Sequence, residues 1–249
     1  MIPEPRDQDS RAGHVEPPRA ARAVALLEVL ICSDFPTQVA IASTFRAAGF
    51  GPFGDGGRLS VPYVVGLSLA DTIVLVALVL LFLHTHGERP ADVLLGRRRV
   101  APELAAGVPL IFVAVGIAIA LLLGIRLVAP FLHTVDQNPF QDLLRTPLNA
   151  SLFALVVLVA GGVREEIQRA FLLHRFEVWL GGARTGLIVT SVVFGAGHLL
   201  QGADAVIVTG MLGAFWGALY LRRRSCLAPM VSHAGFDLLQ IAQFMVVGR

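Results

Sequence analysis

Residues 150–180 read ASLFALVVLVAGGVREEIQRAFLLHRFEVWL, and this stretch decides the fold of the chain. A bilayer core about 30 Å thick requires roughly 20 apolar residues in a helix that crosses it. The first half of the stretch is an apolar run of this kind, whereas the second half carries acids and arginines. An ionisable side chain at membrane depth costs at least about 2.5–3.5 kcal/mol and usually marks a functional interior site. The charged residues here therefore need a functional explanation.

The composition of the whole chain agrees with a membrane protein. Of its 249 residues, 55% are hydrophobic and only 15% are charged, and the mean hydropathy is +0.71. Soluble domains carry about 25% charged residues, so a cytosolic α/β enzyme, a disordered chain and a nucleic-acid binder are excluded. The two cysteines, Cys32 and Cys226, are too few for a disulfide scaffold or a four-cysteine metal site, and we interpret both as apolar filler.

The same hydropathy window predicts an all-α polytopic bundle of about seven membrane helices, with six to eight as the range. We expect a disordered cytosolic tail over 1–22, N-terminal membrane helices over 23–147 and a catalytic helix core over 148–249. The predicted spans are 23–45, 61–83, 103–129, 148–180, 184–200, 203–221 and 226–247. The first of them is poor, because Glu28, Asp34 and Pro36 interrupt it.

The arginines predict the orientation of this bundle. They cluster in the tail, in the 84–101 loop and at 222–224, and seven spans place all three clusters on one side. Because basic loops stay in the cytosol, the N-terminus is predicted to be cytosolic. The expected location is the inner (plasma) membrane of a bacterium.

Helix geometry predicts that polar residues of three spans meet at one depth. If Gly181 and Gly182 form the turn of a hairpin, Glu165 and His198 each lie about 24 Å along their helices from it. This places Glu165 inside one very long helix from about 148 to 180. The residues of the last span, His233 and Asp237, lie roughly 13 to 20 Å beyond the basic triplet, within reach of the same layer.

Spacing within each helix supports the same interpretation. Glu165 and Glu166 lie four and three residues before Arg169, so the arginine can neutralise either carboxylate. A carboxylate beside a histidine can act as a general base on water, and a histidine with an acid one turn away can hold an oxyanion. This combination is suited to amide hydrolysis inside a membrane.

Three short motifs carry a resemblance to a known family. They are REEIQRAFL (164–172), FGAGH (194–198) and HAGFD (233–237). In this order and on separate spans, they resemble the CAAX protease and bacteriocin-processing family of intramembrane peptidases, over residues 148–247. The resemblance implies that Glu165 and His198 activate water, that His233 and Asp237 hold the oxyanion, and that Arg169 fixes the carboxylates. Phe194 is part of the family pattern, although its spacing also fits core packing.

The first motif departs from the family pattern. Only Ile167 and Gln168 separate the second glutamate from the arginine, where the family usually has three residues. Glu165 and Glu166 are therefore alternative bases, and we favour Glu165 with Glu166 as a supporting carboxylate. Asp237 replaces a more usual asparagine. An ionised Asp237 cannot donate a hydrogen bond, so it must be protonated or act by orienting His233.

Three functions remain open at this stage. The preferred one is a glutamate-dependent intramembrane endopeptidase that needs no cofactor or metal. A zinc-dependent peptidase would use His198, His233 and Glu165 as ligands for Zn²⁺, although an HExxH motif is absent. The third is a non-enzymatic transporter or immunity protein that keeps polar residues for binding. The expected partners are membrane lipid and a protein or peptide substrate at the membrane, without nucleic acid, and the oligomeric state is left open.

Overall fold

The structure is a computed structural model that describes residues 18–54, 57–136 and 138–247, with the side chains of Pro139 and Asp142 left out. Within these ranges the chain is helical, and extended backbone pairs only at one antiparallel bridge, between Phe53 and Leu59. The α-helices are α1 (Arg19–Ile31), α2 (Phe35–Ala47), α3 (Val61–Thr85), α4 (Pro90–Leu94), α5 (Val100–Val128), α6 (Pro147–Val156), α7 (Glu165–Trp179), α8 (Gly182–Ala196), α9 (Ala203–Arg223) and α10 (Leu227–Val247). Two short 3₁₀ helices, Pro130–Leu132 and Pro139–Leu144, lie between α5 and α6.

The predicted all-α polytopic bundle is confirmed, and the chain is an integral membrane protein. Five described segments are long and apolar enough to cross a bilayer: α3, α5, the continuous helix Pro147–Trp179, α9 and α10. A sixth exists if α1 and α2 form one broken span. The span predicted at 184–200 is the 15-residue helix α8, which at about 22 Å is shorter than a bilayer core. The backbone leaves the helix at Gly197.

The first predicted span is a bent pair of helices rather than one straight helix. α1 and α2 are inclined to each other by 46°. The break comes at Asp34, whose φ is +80°, and Pro36 stands in the first turn of α2, where its missing N–H costs nothing. α1 begins at Arg19, inside the segment predicted as a tail, and residues 1–17 lie outside the described part.

The predicted long helix over 148–180 is confirmed as the continuous helix Pro147–Trp179. Thr146 caps its start, accepting a hydrogen bond from the backbone N–H of Asn149 at 3.2 Å. The helix is not uniform, because its middle, Val157–Arg164, is π-helical. We call this stretch the π segment. π-helical turns are rare and are often found at functional sites, and this one ends at the residue before Glu165.

The helices that carry the three motifs pack against one another. α10 lies against α5 and the π segment, and α8 lies against both α7 and α9. The closest approach of α8 and α9 occurs at Gly195, where a Cβ would lie 2.5 Å from the carbonyl oxygen of Val206 and 3.0 Å from the Cα of Gly210. Further along α9, Gly213 and Gly217 face side chains of α8. Small residues at such contacts let helix backbones approach closely.

We expect Gly195→Ala to destabilise the bundle. The added methyl group meets backbone rather than a flexible side chain, so α8 and α9 must separate, and overpacking of this kind costs about 1–3 kcal/mol. Gly116→Ala in α5 is the matched control, because its Cβ would meet nothing within 4 Å. Thermal unfolding in detergent measures the difference. Equal melting temperatures for the two variants would contradict the close contact.

One end of the bundle gathers two of the predicted basic clusters. Arg98 donates from Nε to the carbonyl of Arg223 at 2.9 Å, and the backbone N–H of Cys226 donates to the carbonyl of Leu94 at 2.9 Å. The 84–101 loop and the 222–224 triplet therefore lie side by side, which we call the arginine end. Burial raises the pKa of the Cys226 thiol to about 12, and the buried thiol fits the predicted role as apolar filler.

A buried charge network surrounds Arg175 in the second half of α7. The side chain of Arg175 is fully buried. Arg175 donates from Nε to Glu28 of α1 and from Nη1 to Glu88 in the α3–α4 loop, both at 2.6 Å. His86 and His174 contact these two acids at 2.7 and 2.6 Å. Burial by itself would raise the pKa of Glu88, but the hydrogen bonds from His174 and Arg175 outweigh it and hold that pKa at about 2. This network joins α1 and the α3–α4 loop to α7.

Candidate active site

A cavity of about 570 Å³ lies among the helices that carry the three motifs. Four of the predicted catalytic residues line it: Glu165 of α7, His198 just after α8, and His233 and Asp237 of α10. Glu166, the fifth, does not line this cavity. Side chains from three parts of the chain that the sequence analysis placed at one depth therefore line one cavity.

His233 lies at the centre of the site. Its ring is buried, with Nδ1 2.8 Å from Oε1 of Glu166. Its Nε2 faces two further carboxylates, at 3.8 Å from Oε2 of Glu165 and 3.7 Å from Oδ2 of Asp237. The ring stacks on Trp216 at a centroid distance of 3.8 Å and an interplanar angle of 19°. Because the stacking and the Glu166 contact together fix the ring, the direction of Nε2 is fixed as well.

The two glutamates of the first motif have different surroundings. The side chain of Glu166 is 1% exposed, pairs with Arg169 and His233, and keeps its Oε2 without a hydrogen-bond partner among the described residues. The side chain of Glu165 is 20% exposed, lines the cavity and contacts Nη2 of Arg164 at 3.2 Å. Of the two alternatives left by the sequence, Glu165 is the carboxylate that water in the cavity can reach.

Helical spacing allowed Arg169 to pair with Glu165 or with Glu166, and in the structure it pairs with Glu166. It forms a buried ion pair with Glu166. Its guanidinium also lies over the ring of Phe194 at 4.5 Å and over that of Trp216 at 5.8 Å. Such cation–π contacts are strongest where water is excluded. Among the described ion pairs, Arg169 pairs with Glu166, whereas Glu165 pairs with Arg164.

Phe194 packs between the functional side chains. Its ring centroid lies 5.1 Å from that of His198 and 6.0 Å from that of His233, in tilted or edge-on geometry. The backbone carbonyl of Phe194 accepts a hydrogen bond from Nδ1 of His198 at 2.9 Å. A carbonyl can only accept, so Nδ1 carries the proton and Nε2 of a neutral His198 is free to accept one. Phe194 therefore orients the histidine as well as filling space.

The donor set of the zinc alternative does not fit this arrangement. Among the described residues, no group of three or more histidine, cysteine or acidic side chains is placed to hold a metal ion. Nδ1 of His233 is engaged by Glu166. We therefore derive no step through a metal.

The structure adds residues to the site that the sequence left without a role. None of Arg164, Asp34 and Asp71 was among the predicted site residues. Arg164 pairs with both acids as well as with Glu165. The charge of the two aspartates within apolar spans marks them as functional candidates in the sequence. The sequence does not show which arginine pairs with them.

The segment between α5 and α6 contributes to the lining of the cavity. Nδ1 of His133 contacts Oδ2 of the buried Asp204 at 2.8 Å, and Asn138 donates to Gln201 at 3.2 Å. His133 lines the cavity. His133 is thus bonded to the first turn of α9 and Asn138 to the connection that follows His198.

Comparison with known families agrees with the geometry. Residues 147–239 match the family model described as type II CAAX prenyl endopeptidase Rce1-like. This segment is similar to the Rce1-like family. All three motifs fall inside the Rce1-like match, which supports an intramembrane endopeptidase of the CAAX protease type that acts on a peptide at the membrane. Searches of curated proteins and of solved structures give no significant match.

Proposed function

We propose that this protein is a glutamate-dependent intramembrane endopeptidase that uses Glu165 and His198 to activate water. The observation that carries the proposal is the cavity shared by Glu165, His198, His233 and Asp237. Two acidic side chains and two imidazoles, contributed by α7, α10 and the residues just after α8, surround a space large enough for water and a peptide bond. The Rce1-like match to the same helices supports the reaction class.

The proposed reaction begins with water held between Glu165 and His198. Glu165 accepts a proton as the oxygen of the water bonds to the carbonyl carbon of the scissile peptide. The carbonyl oxygen becomes an oxyanion, and a doubly protonated His233 donates to it from Nε2 while Nδ1 stays bonded to Glu166. When the tetrahedral intermediate collapses, the C–N bond breaks and the leaving amine takes the proton from Glu165. Asp237 lies 3.7 Å from Nε2 of His233, and as an ionised carboxylate it orients the His233 ring.

The proposed chemistry requires no metal, so we expect the purified protein to retain its activity in strong chelators. Peptide cleavage is measured in detergent before and after incubation with 1,10-phenanthroline and EDTA, and again after Zn²⁺ is added back. Unchanged rates support the glutamate mechanism. Loss of cleavage that returns with Zn²⁺ would instead favour the zinc peptidase.

The substrate for this assay is found by proteomics of membranes from cells with and without the protein. A precursor that accumulates in the deletion strain is synthesised as a peptide and offered to the wild type, to His198→Ala and to His84→Ala. His84 is exposed at the end of α3 and serves as the matched histidine control. The proposal requires cleavage by the wild type and the control but not by His198→Ala. If the wild type leaves every accumulated precursor intact, the enzyme assignment is wrong.

We further propose a bacterial inner membrane location with a cytosolic N-terminus. The shared arginine end supports this orientation, since basic loops stay in the cytosol. A reporter enzyme fused to the α3–α4 loop, active only in the cytosol, tests it.

A further inference from the structure

Arg164 stands directly before the proposed base and is buried, with 6% of its side chain exposed. Its Nη2 contacts Oε1 of Glu165 at 3.2 Å. Its Nη1 donates to Oδ2 of Asp71 at 3.0 Å and also binds Asp34, and its Nε donates to the carbonyl of Ala160 at 3.3 Å. Every nitrogen of the guanidinium thus has a partner, so the plane of the group is fixed.

The two acids that hold Arg164 come from the N-terminal helices. Asp71 lies in the middle of α3 and is 1% exposed. Asp34 lies at the break between α1 and α2, where its φ of +80° is one that non-glycine residues seldom adopt. A residue in such a conformation persists only where its surroundings hold it, and such residues cluster at functional sites. Gln38 supports Asp34, donating to Oδ2 at 2.6 Å.

A contact from α7 fixes the same break. Gln168, four residues after Arg164, donates from Nε2 to the carbonyl of Cys32 at 2.8 Å. The break between α1 and α2 is therefore bonded both by the residue before Glu165 and by a residue one turn after it. A buried charge network of this kind costs desolvation energy. The bonds from Arg164 and Gln168 that meet at the break fix the position of Asp34 relative to α7.

The two oxygens of Glu165 have separate surroundings as a result. Oε1 is bonded to Arg164, whereas Oε2 lies on the side of His233, 3.8 Å from its Nε2. We propose that Arg164 is a positioning residue, which, held by Asp34 and Asp71, binds one oxygen of Glu165 and thereby turns the other towards the reacting water. The inference rests on the proposed function. It makes α1, α2 and α3, which lie outside the Rce1-like segment, necessary for the geometry of the active site.

The same helix offers a matched control for a purely structural role. Arg175 is also fully buried, and it too is held by acids of the N-terminal part of the chain, Glu28 and Glu88. None of its described hydrogen bonds reaches a residue of the cavity. Lysine in place of either arginine keeps the charge but loses the planar fork that binds several carboxylates at once.

The experiment compares Arg164→Lys with Arg175→Lys, and Asp71→Asn with Glu88→Gln. Each purified variant is assayed with the precursor peptide for kcat and KM, and its melting temperature is measured in detergent. We expect both arginine variants to melt at lower temperature. Only Arg164→Lys should lose kcat, by about 10–100-fold with KM within about twofold, because a base displaced by about 1 Å loses most of its effect. Asp71→Asn should follow in the same direction, and Glu88→Gln should keep the wild-type kcat.

The outcomes separate this inference from the proposed function. If Arg164→Lys melts like Arg175→Lys but keeps the wild-type kcat, Arg164 is structural and the inference is wrong. If Arg164→Lys does not fold, the isosteric Asp34→Asn and Asp71→Asn decide, and wild-type kcat in both overturns the inference. Cleavage absent from the wild type itself would remove the proposed function, and the inference with it.

Discussion

Glu165→Gln should abolish measurable peptide cleavage while leaving the protein folded. The amide keeps the shape of the side chain and can still bond to its neighbours, but it cannot accept the proton of the attacking water. Loss of a general base typically lowers the rate by about 10²–10⁴-fold, and we expect kcat to fall by that factor with little change in KM. Single-turnover cleavage of the precursor peptide in detergent measures the effect, and the melting temperature verifies the fold.

Two further glutamine variants serve as controls for this prediction. Glu177→Gln lies on the same helix and removes a carboxylate that pairs with Arg224 at the arginine end, so its kcat should stay at the wild-type value. Glu166→Gln removes the buried carboxylate beside His233 and should lower kcat less than Glu165→Gln. If Glu166→Gln is inactive and Glu165→Gln stays active, Glu166 is the base and the assignment of Glu165 is wrong.

Arg169→Met should be the most destabilising of the single substitutions considered. Methionine keeps the apolar contacts with Phe194 and Trp216 but leaves the carboxylate of Glu166, which is 1% exposed, without its cation. Breaking a buried ion pair by removing one partner costs about 3–5 kcal/mol, because the remaining charge stays uncompensated. Thermal unfolding in detergent measures the loss. Cleavage should also fall, since Glu166 holds Nδ1 of His233.

The double variant Arg169→Met/Glu166→Gln tests this reason. Neutralising the partner removes the uncompensated charge, so most of the lost stability should return. Activity should not return, because the double variant lacks the carboxylate that binds Nδ1 of His233. A double variant no more stable than Arg169→Met would mean that the contacts of the guanidinium with the aromatic rings, rather than its ion pair with Glu166, dominate the stability.

Hydropathy and helix spacing predicted the frame of the site well. The long helix through 150–180, the approach of Glu165 to the histidines and the pairing of His233 with Asp237 follow from a rise of 1.5 Å per residue and a turn at Gly181. Spacing alone did not distinguish Glu165 from Glu166, and here the π segment matters. Its wider turn changes the rotation of every residue that follows, so a uniform period of 3.6 does not give the faces of α7.

The N-terminal helices were the least predictable part. The charges in 23–45 weakened the first predicted span, but only the fold shows that Asp34 stands at a bend and meets Arg164. The length of α8 was overestimated for a related reason. Apolar residues continue past Gly197, and hydropathy does not register that the backbone leaves the helix there.

The amino-acid sequence by itself determined that this chain lies in a membrane as a helix bundle, and which three helices carry acids and imidazoles. These are properties of single segments, set by the cost of placing charge in lipid and by the regular rise of a helix. The tertiary structure alone decided which glutamate faces the cavity, which arginine each carboxylate meets, and that the broken first pair of helices contacts Arg164 through Asp34. Those facts depend on how each helix is rotated about its axis and packed against its neighbours, and that arrangement is a property of the whole bundle.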